Sequence, residues 1–146
     1  MSCALLAACN SKTLYSETDD NFTQNRWLKS DIKVYEFEIT EPATPYEIEV
    51  FFSHVYGYQF PKVPLIAELT RPDGNITSHQ FDFMIKDESG NELGDCAGDY
   101  CDLSQKIPVE GALSVGKYKL RLMHNFEGEF LPNVLGIGIR VEQLSD

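Results

Sequence analysis

Apolar and polar residues alternate most regularly between positions 46 and 74. The alternation predicts two long strands, because successive side chains of a strand point to opposite faces of a sheet. Residues 57–64, with two prolines and a glycine, separate the strands. Residues 71–74 predict a tight turn, since proline presets its φ and glycine tolerates a positive φ. The positions on one face are Tyr46, Ile48, Val50, Phe52, His54 and Tyr56, followed by Val63, Leu65, Ala67 and Leu69.

Shorter stretches of the same alternation recur on both sides of this pair. They cover residues 35–39, 81–85, 118–122 and 135–141. Gly136 and Gly138 in the last stretch indicate a close backbone approach or a bend. No stretch keeps a helical period over three turns. About seven or eight strands separated by turns predict an all-β fold, an antiparallel β-sandwich of jelly-roll or immunoglobulin-like type.

The N-terminus has the form of a bacterial lipobox, Leu6-Ala7-Ala8-Cys9. The motif predicts that Cys9 receives the acyl chains and that residues 1–8 are the remnant of a lipoprotein signal peptide. A signal peptide needs a basic segment and a longer apolar run, so we interpret the start as truncated or assigned too far downstream. The alternative is an ordinary apolar N-terminus with a buried free cysteine.

The domain organisation predicted from these patterns is simple. Residues 9–32 are mostly polar and are expected to form a lipidated tether and a wrapping segment, with Trp27 as a core plug. Residues 33–146 are expected to form the β-sandwich domain. The 146 residues suit one domain, which buries roughly two thirds of the surface of its unfolded chain.

Charge excludes one class of partner. Twelve Lys and Arg against 23 Asp and Glu leave a net charge of −11, so phosphate backbones would repel the molecule. We therefore expect no nucleic acid partner. The membrane is expected to be reached through the lipid anchor, since no run approaches the 18 apolar residues of a spanning helix.

The residues that could bind a metal do not form a known local motif. His54, His79 and His124 are too far apart in sequence for a zinc motif, and His54 is interpreted as a hydrogen-bonded core histidine. Asp95, Asp99 and Asp102 could supply oxygen ligands to calcium, although their spacing is not that of an EF-hand loop. The alternative is that these aspartates cap turns through their own backbone.

Cysteine chemistry depends on the compartment. Cys96 and Cys101 would form a disulfide in an exported protein and stay free thiols in a cytosolic one. No nucleophile elbow, phosphate loop, dinucleotide fingerprint or metalloprotease helix is present. We therefore expect no enzyme, no catalytic residues and no cofactor, the alternative being a carboxylate pair assembled from distant strands.

Several short motifs resemble the gliding-motility lipoprotein family GldH. They are the lipobox at Cys9, Asp20-Asn21-Phe22 with Trp27, Tyr35-Glu36-Phe37-Glu38-Ile39, Pro45-Tyr46, Pro72-Asp73-Gly74, Leu93-Gly94 with Gly98-Asp99, Gly116-Lys117-Tyr118 and the closing Gly136 to Glu142. The resemblance implies an outer-membrane lipoprotein facing the periplasm, an accessory of the gliding and secretion machinery whose partners are envelope proteins. It implies no catalytic residue and carries over only the lipidated Cys9.

Two contact surfaces are expected, because both interrupt strands and hold aromatic residues. They are the loop at 93–102 and the segment at 57–64, with Tyr58, Phe60 and Tyr100 as contact residues. The rival hypothesis is a carbohydrate-binding module, in which Tyr56, Tyr58 and Phe60 would stack on sugar rings.

Overall fold

The computed structural model describes residues 11–41, 45–109 and 113–144, and these residues form strands with one 3₁₀ turn at Thr23–Asn25 and no α-helix. None of the helical structure in these ranges is long and apolar enough to cross a bilayer. The strands are β1 (Ser11–Asp19), β2 (Trp27–Leu28), β3 (Lys33–Ile39), β4 (Tyr46–Val55), β5 (Lys62–Thr70), β6 (Ile76–Met84), β7 (Asp95–Ala97), β8 (Tyr100–Lys106), β9 (Gly116–His124), β10 (Phe130–Leu131) and β11 (Val134–Leu144).

The strands form two large antiparallel sheets and a small one. The first has the order β1-β11-β4-β8-β7, the second has the order β3-β9-β5-β6, and β10 pairs with β2. The all-β, antiparallel prediction is confirmed. Eleven strands exceed the expected seven or eight because β2, β7 and β10 have only two or three residues each, too few to show an alternation.

The core lies between the two large sheets. Phe52 of β4 and Phe83 of β6 belong to different sheets, and their ring centroids are 5.6 Å apart. The Tyr35 hydroxyl of β3 donates to the carbonyl oxygen of Ile137 in β11 at 3.4 Å. Both phenylalanines are fully buried, and burying a side chain of this size contributes about 1.5 to 3 kcal/mol.

The turn predicted at 71–74 is confirmed. The Gly74 amide donates to the Arg71 carbonyl oxygen at 2.9 Å, and Gly74 has a φ of +90°. The Asp73 carboxylate accepts from the Asn75 amide at 3.0 Å. The turn therefore joins β5 to β6 with the glycine where the backbone needs it.

The segment expected to wrap around the sandwich belongs to the sheet instead. β1 pairs with β11 from Ser11 opposite Leu144 to Asp19 opposite Ile137, and the Thr13 hydroxyl donates to Glu142 at 2.6 Å. The sandwich thus begins at residue 11 and not at residue 33. β1 is an edge strand with only Leu14 and Tyr15 as large apolar residues, so its sequence lacks the strong alternation of the inner strands.

Gly138 makes the approach of β1 possible. A Cβ atom at this position would lie 2.8 Å from the Thr18 Cα and closer still to the Glu17 carbonyl oxygen. Real Cβ atoms do not come this close to backbone. The close approach predicted for the glycines of the last strand is therefore found at Gly138.

The two ends of the five-stranded sheet are formed by different residues. Residue 11, Tyr46 and Leu144 lie at one end, which we call the N-terminal end. Val134 and Cys101 flank His54 at the other end, beside the β7–β8 hairpin, and we call this the hairpin end. The ten residues of β4 that connect the two ends span about 30 Å.

Candidate functional site

Tyr58 was predicted as a contact residue, and the structure corrects this. Only 1% of Tyr58 is exposed, its ring lies edge-on to Phe52 at 6.0 Å, and its hydroxyl donates to the Pro132 carbonyl oxygen at 2.9 Å. Burial raises the pKa of this hydroxyl. The alternation of β4 does not continue past Val55, because the chain turns at Gly57 with a φ of +75°.

Phe60 and Tyr56 do not form a platform with Tyr58. Phe60 is half-buried against Phe126, with ring centroids 4.8 Å apart, and its ring is tilted 69° from that of Tyr58. Tyr56 is exposed. A flat surface for a sugar ring is therefore not made by these three aromatic residues.

The hairpin end carries three exposed apolar residues, and we call Tyr56, Leu93 and Tyr100 the hairpin patch. Each is between 44% and 58% exposed. The segments of Tyr56 and Tyr100 are bonded together, since the Tyr56 amide donates to the Asp99 carbonyl oxygen at 2.8 Å and Val55 pairs with Tyr100. The segment of Leu93 is joined to that of Tyr56 by the Gly57 amide, which donates to the Glu92 carboxylate at 3.2 Å. Of the predicted contact residues, Tyr100 therefore keeps an accessible position.

The three aspartates of the same hairpin are spread along it. Asp95 and Asp102 are cross-strand partners in β7 and β8, and Asp99 lies in the turn between them. In the described ranges, the group of three ligand atoms close enough to hold a metal ion is made by His54, Glu92 and Cys101 instead. The predicted calcium ligands do not form such a group.

Cys96 and Cys101 are joined in a disulfide with an S–S distance of 1.98 Å. The two cysteines are direct cross-strand partners in the β7–β8 hairpin. Cys101 is fully buried, whereas Cys96 is half-buried. The bond therefore cross-links the hairpin, and its more accessible sulfur is that of Cys96.

His54 lies beside this disulfide, because His54 of β4 pairs with Cys101 of β8. It is fully buried, and its ring is 5.0 Å from that of Tyr58. Its Nδ1 atom is 2.9 Å from the Val55 carbonyl oxygen, which can only accept, so Nδ1 carries the proton and donates. Its Nε2 atom has no hydrogen-bond partner.

Glu92 faces that nitrogen. One carboxylate oxygen, Oε2, accepts from the Gly57 amide at 3.2 Å, while Oε1 is buried without a partner and lies 4.0 Å from His54 Nε2. The backbone around Glu92 is held by a bridge to Lys86 and by the Leu93 amide, which donates to Ile85 at 2.9 Å. The ring nitrogen Nε2 and the carboxylate oxygen Oε1 therefore lie 4.0 Å apart, and neither has a hydrogen-bond partner.

The sequence points to His54 and Cys101 separately but does not predict that they lie close together. His54 was interpreted as a hydrogen-bonded core histidine, and only its Nδ1 atom has the expected bond. The sequence gives no reason to single out Glu92, because it is the first residue of the least regular stretch, residues 92–102. The useful signal would have been the pairing of β4 with β8, which places His54 opposite Cys101.

Comparison with known proteins gives the family. The family model described as GldH lipoprotein matches residues 14–141. A gliding motility lipoprotein GldH homolog of Christiangramia forsetii is 23% identical over 148 residues, which covers 95% of this chain and 89% of that protein.

Solved structures are only distantly similar. The serine protease of Aeromonas sobria in complex with its chaperone is 12% identical with a TM-score of 0.39, covering 98% of this chain, which spans 29% of that protein. A xylan-binding domain of Paenibacillus barcinonensis is 10% identical with a TM-score of 0.39, covering 94% of this chain and 97% of that domain. These likenesses carry no functional argument. The family match covers both large sheets and the hairpin end, and the chain belongs to the GldH lipoprotein family.

Proposed function

We propose that this protein is a lipid-anchored, non-enzymatic accessory protein of the gliding motility and secretion machinery, and that it acts through contacts with other envelope proteins. The observation that carries the proposal is the family match over residues 14–141, which includes β2 to β10 and most of β1 and β11. The named relative in Christiangramia forsetii is a gliding motility lipoprotein homolog.

The anchor is Cys9, which lies outside the described residues. Cys9 precedes the first residue of β1, at position 11, by two positions in the sequence. Each buried methylene of an acyl chain contributes about 0.8 kcal/mol, and two or more chains give stable anchoring. A lipid on Cys9 would hold the N-terminal end of the sandwich at the outer membrane, on its periplasmic side.

The partner surface in this proposal is the hairpin patch. It lies at the end of the five-stranded sheet opposite the anchor, about 30 Å along β4. Exposed apolar residues grouped on bonded segments are typical of protein contact sites. A partner protein can therefore reach Tyr56, Leu93 and Tyr100 without meeting the lipid surface.

The anchor is tested by replacing Cys9 with serine. We expect the wild-type protein in the membrane fraction, with acyl chains found on Cys9 by mass spectrometry, and the Cys9→Ser protein in the soluble fraction. A wild-type protein with an unmodified thiol in the soluble fraction would contradict the anchor.

The contact surface is tested by replacing all three residues of the hairpin patch with serine. After solubilisation in mild detergent, we expect the envelope proteins that co-purify with the wild type to be lost, together with secretion of surface adhesins. The matched control is Ile76→Ser, because Ile76 is 63% exposed at the start of β6 in the other sheet. Equal co-purification with the patch variant and the control would rule out this surface.

A further inference from the structure

The group formed by His54, Glu92 and Cys101 has the geometry of an incomplete metal site. The three ligand atoms, a ring nitrogen, a carboxylate oxygen and a sulfur, all lie within 4.8 Å of one another. They come from three separate places in the chain, β4, the segment after β6, and β8. The spread means that the fold, and not a local loop, brings them together.

The histidine is already oriented as a metal ligand. Its Nδ1–H group donates to the Val55 carbonyl oxygen, which leaves Nε2, 4.0 Å from Glu92 Oε1, available to bind a cation. Histidines that bind metals usually donate their second ring nitrogen to a carbonyl or carboxylate in this way. A cation between Nε2 and Oε1 would pair both buried atoms, which are costly to leave without a partner.

The disulfide controls the remaining ligands. In the oxidised protein the Cys101 sulfur is bonded to Cys96 and is not a thiolate, so only two good ligands are present. Reduction would free the Cys101 sulfur beside His54 and Glu92, together with the Cys96 sulfur, which is bonded to the Cys101 sulfur at 1.98 Å in the disulfide. Two thiolates, one imidazole and one carboxylate form a four-ligand set of the kind that zinc binds in tetrahedral geometry.

We propose that the reduced hairpin end binds one zinc ion through His54, Glu92, Cys101 and Cys96. The reductant is a dithiol: it supplies two electrons and two protons, becomes a disulfide itself, and leaves Cys96 and Cys101 as thiols. Zinc then displaces the two thiol protons. Attack starts at the Cys96 sulfur because it is the more accessible of the two. In the opposite direction a disulfide oxidant takes two electrons from the two zinc-bound thiolates and becomes a dithiol, the Cys96–Cys101 bond forms, and the zinc ion is released.

Zinc would bind to residues that are close in sequence to the hairpin patch. Tyr56 follows His54 by two residues, Leu93 follows Glu92, and Tyr100 precedes Cys101. All three residues of the hairpin patch are therefore within two positions of a proposed ligand. The redox state of the hairpin would set whether the patch is held by a covalent cross-link or by a metal centre.

The test uses the full chain with Cys3 and Cys9 replaced by serine, so that Cys96 and Cys101 are the remaining cysteines of the four. Cobalt(II) is added as a probe to the oxidised protein and to protein reduced with a phosphine. We expect the reduced protein to bind one cobalt per chain with thiolate charge-transfer and tetrahedral bands, which zinc then abolishes. We expect no such bands for the oxidised protein, and their absence from the reduced protein would overturn the proposal.

Two variants test whether His54 and Glu92 take part in metal binding or whether the two thiols alone bind the metal. Glu92→Gln and His54→Gln should each weaken cobalt and zinc binding at least tenfold in the reduced state, with His79→Gln as the matched control that keeps wild-type affinity. If His54→Gln does not fold, the Glu92→Gln variant decides the result, because the Glu92 side chain is 16% exposed and is easier to replace. Wild-type affinity in Glu92→Gln would show that the thiols alone bind the metal and would overturn the site.

Discussion

Two buried histidines in this sandwich have opposite hydrogen-bonding situations. His124, at the end of β9, donates from Nε2 to the Trp27 carbonyl oxygen at 2.9 Å and accepts at Nδ1 from the Phe126 amide at 3.2 Å. His54, near the end of β4, uses Nδ1 in the same ordinary way but leaves Nε2 facing the Glu92 carboxylate. Both side chains are almost fully buried, so burial alone does not distinguish them.

The difference indicates a structural role for His124 and a ring nitrogen available for a ligand in His54. Neutral His124 has both ring nitrogens satisfied, and burial lowers its pKa from the ordinary value. It joins β9 to the short β2 through Trp27, and its ring meets the Trp27 ring edge-on at 5.0 Å. His54 has one ring nitrogen, Nε2, without a hydrogen-bond partner beside a carboxylate and a disulfide. This nitrogen is available to bind a ligand.

The largest expected effect is a loss of stability on replacing Trp27, whose ring packs against His124. Trp27→Ala should lower the free energy of unfolding by about 3 to 5 kcal/mol, because it removes a fully buried ring and leaves a cavity beside His124. It also removes the Nε1–H group that donates to the Asp31 carbonyl oxygen at 2.8 Å. Denaturant titration measures the loss, and Leu28→Ala, at a half-exposed neighbour, should cost little. A small loss for Trp27→Ala would mean that β2 and β10 contribute little to the core.

The second prediction concerns the cross-link beside His54. Reducing the Cys96–Cys101 bond in the presence of a chelator should lower the free energy of unfolding by about 2 kcal/mol, the chain-entropy value for a short loop with a separation of five residues. Zinc added to the reduced protein should restore part of the loss. The double variant Cys96→Ser, Cys101→Ser is the control and should respond to neither addition. An equal response to zinc in that variant would contradict the idea that the thiols take part.

The third prediction is a pH dependence that belongs to His124. Because its pKa in the folded protein is below the unfolded value of 6.5, the unfolded state binds the proton first. Stability is therefore full above pH 6.5 and falls as the pH drops below it, with a slope of at most about 1.4 kcal/mol per pH unit. His124→Gln should lose this slope, and His79→Gln should keep it. A slope that persists in His124→Gln would assign it to another group.

The smallest expected effect has an unusual sign. Glu92→Gln should raise the free energy of unfolding of the oxidised, metal-free protein by about 1 kcal/mol, because the amide can donate to His54 Nε2 where the carboxylate cannot. Glu88→Gln, on the exposed turn after β6, is the control and should change little. Destabilisation by Glu92→Gln would indicate that the carboxylate is already paired with a protonated His54.

The inner strands could be predicted from the sequence, and the candidate site could not. The alternation at 46–55 and the turn at 71–74 correspond to β4 and to the connection of β5 with β6, because burial of one face imposes a period of two. β1 was read as a wrapping segment, since an edge strand can be polar. Tyr58 was assigned to the surface because its burial depends on the turn at Gly57.

The group around His54 depends on pairing between strands far apart in the chain. Forty-seven positions separate His54 from Cys101, and Glu92 reaches them from a third segment. Periodicity gives the face of a residue but not its cross-strand neighbour. The different hydrogen bonding of His54 and His124 accordingly becomes visible only once the strand order is known.

β1 also determines how the sandwich would respond to mechanical force. β1 runs alongside β11 over its whole length, from residue 11 opposite Leu144 to Asp19 opposite Ile137. Tension between an attachment at residue 11 and one at the hairpin end acts along the axis of β1. The inter-strand hydrogen bonds are then loaded in shear together and are not opened one after another, so rupture requires many of them to fail at once. If the protein is anchored at Cys9 and bound at the hairpin patch, as proposed above, the sandwich would act as a stiff link between these two attachment points.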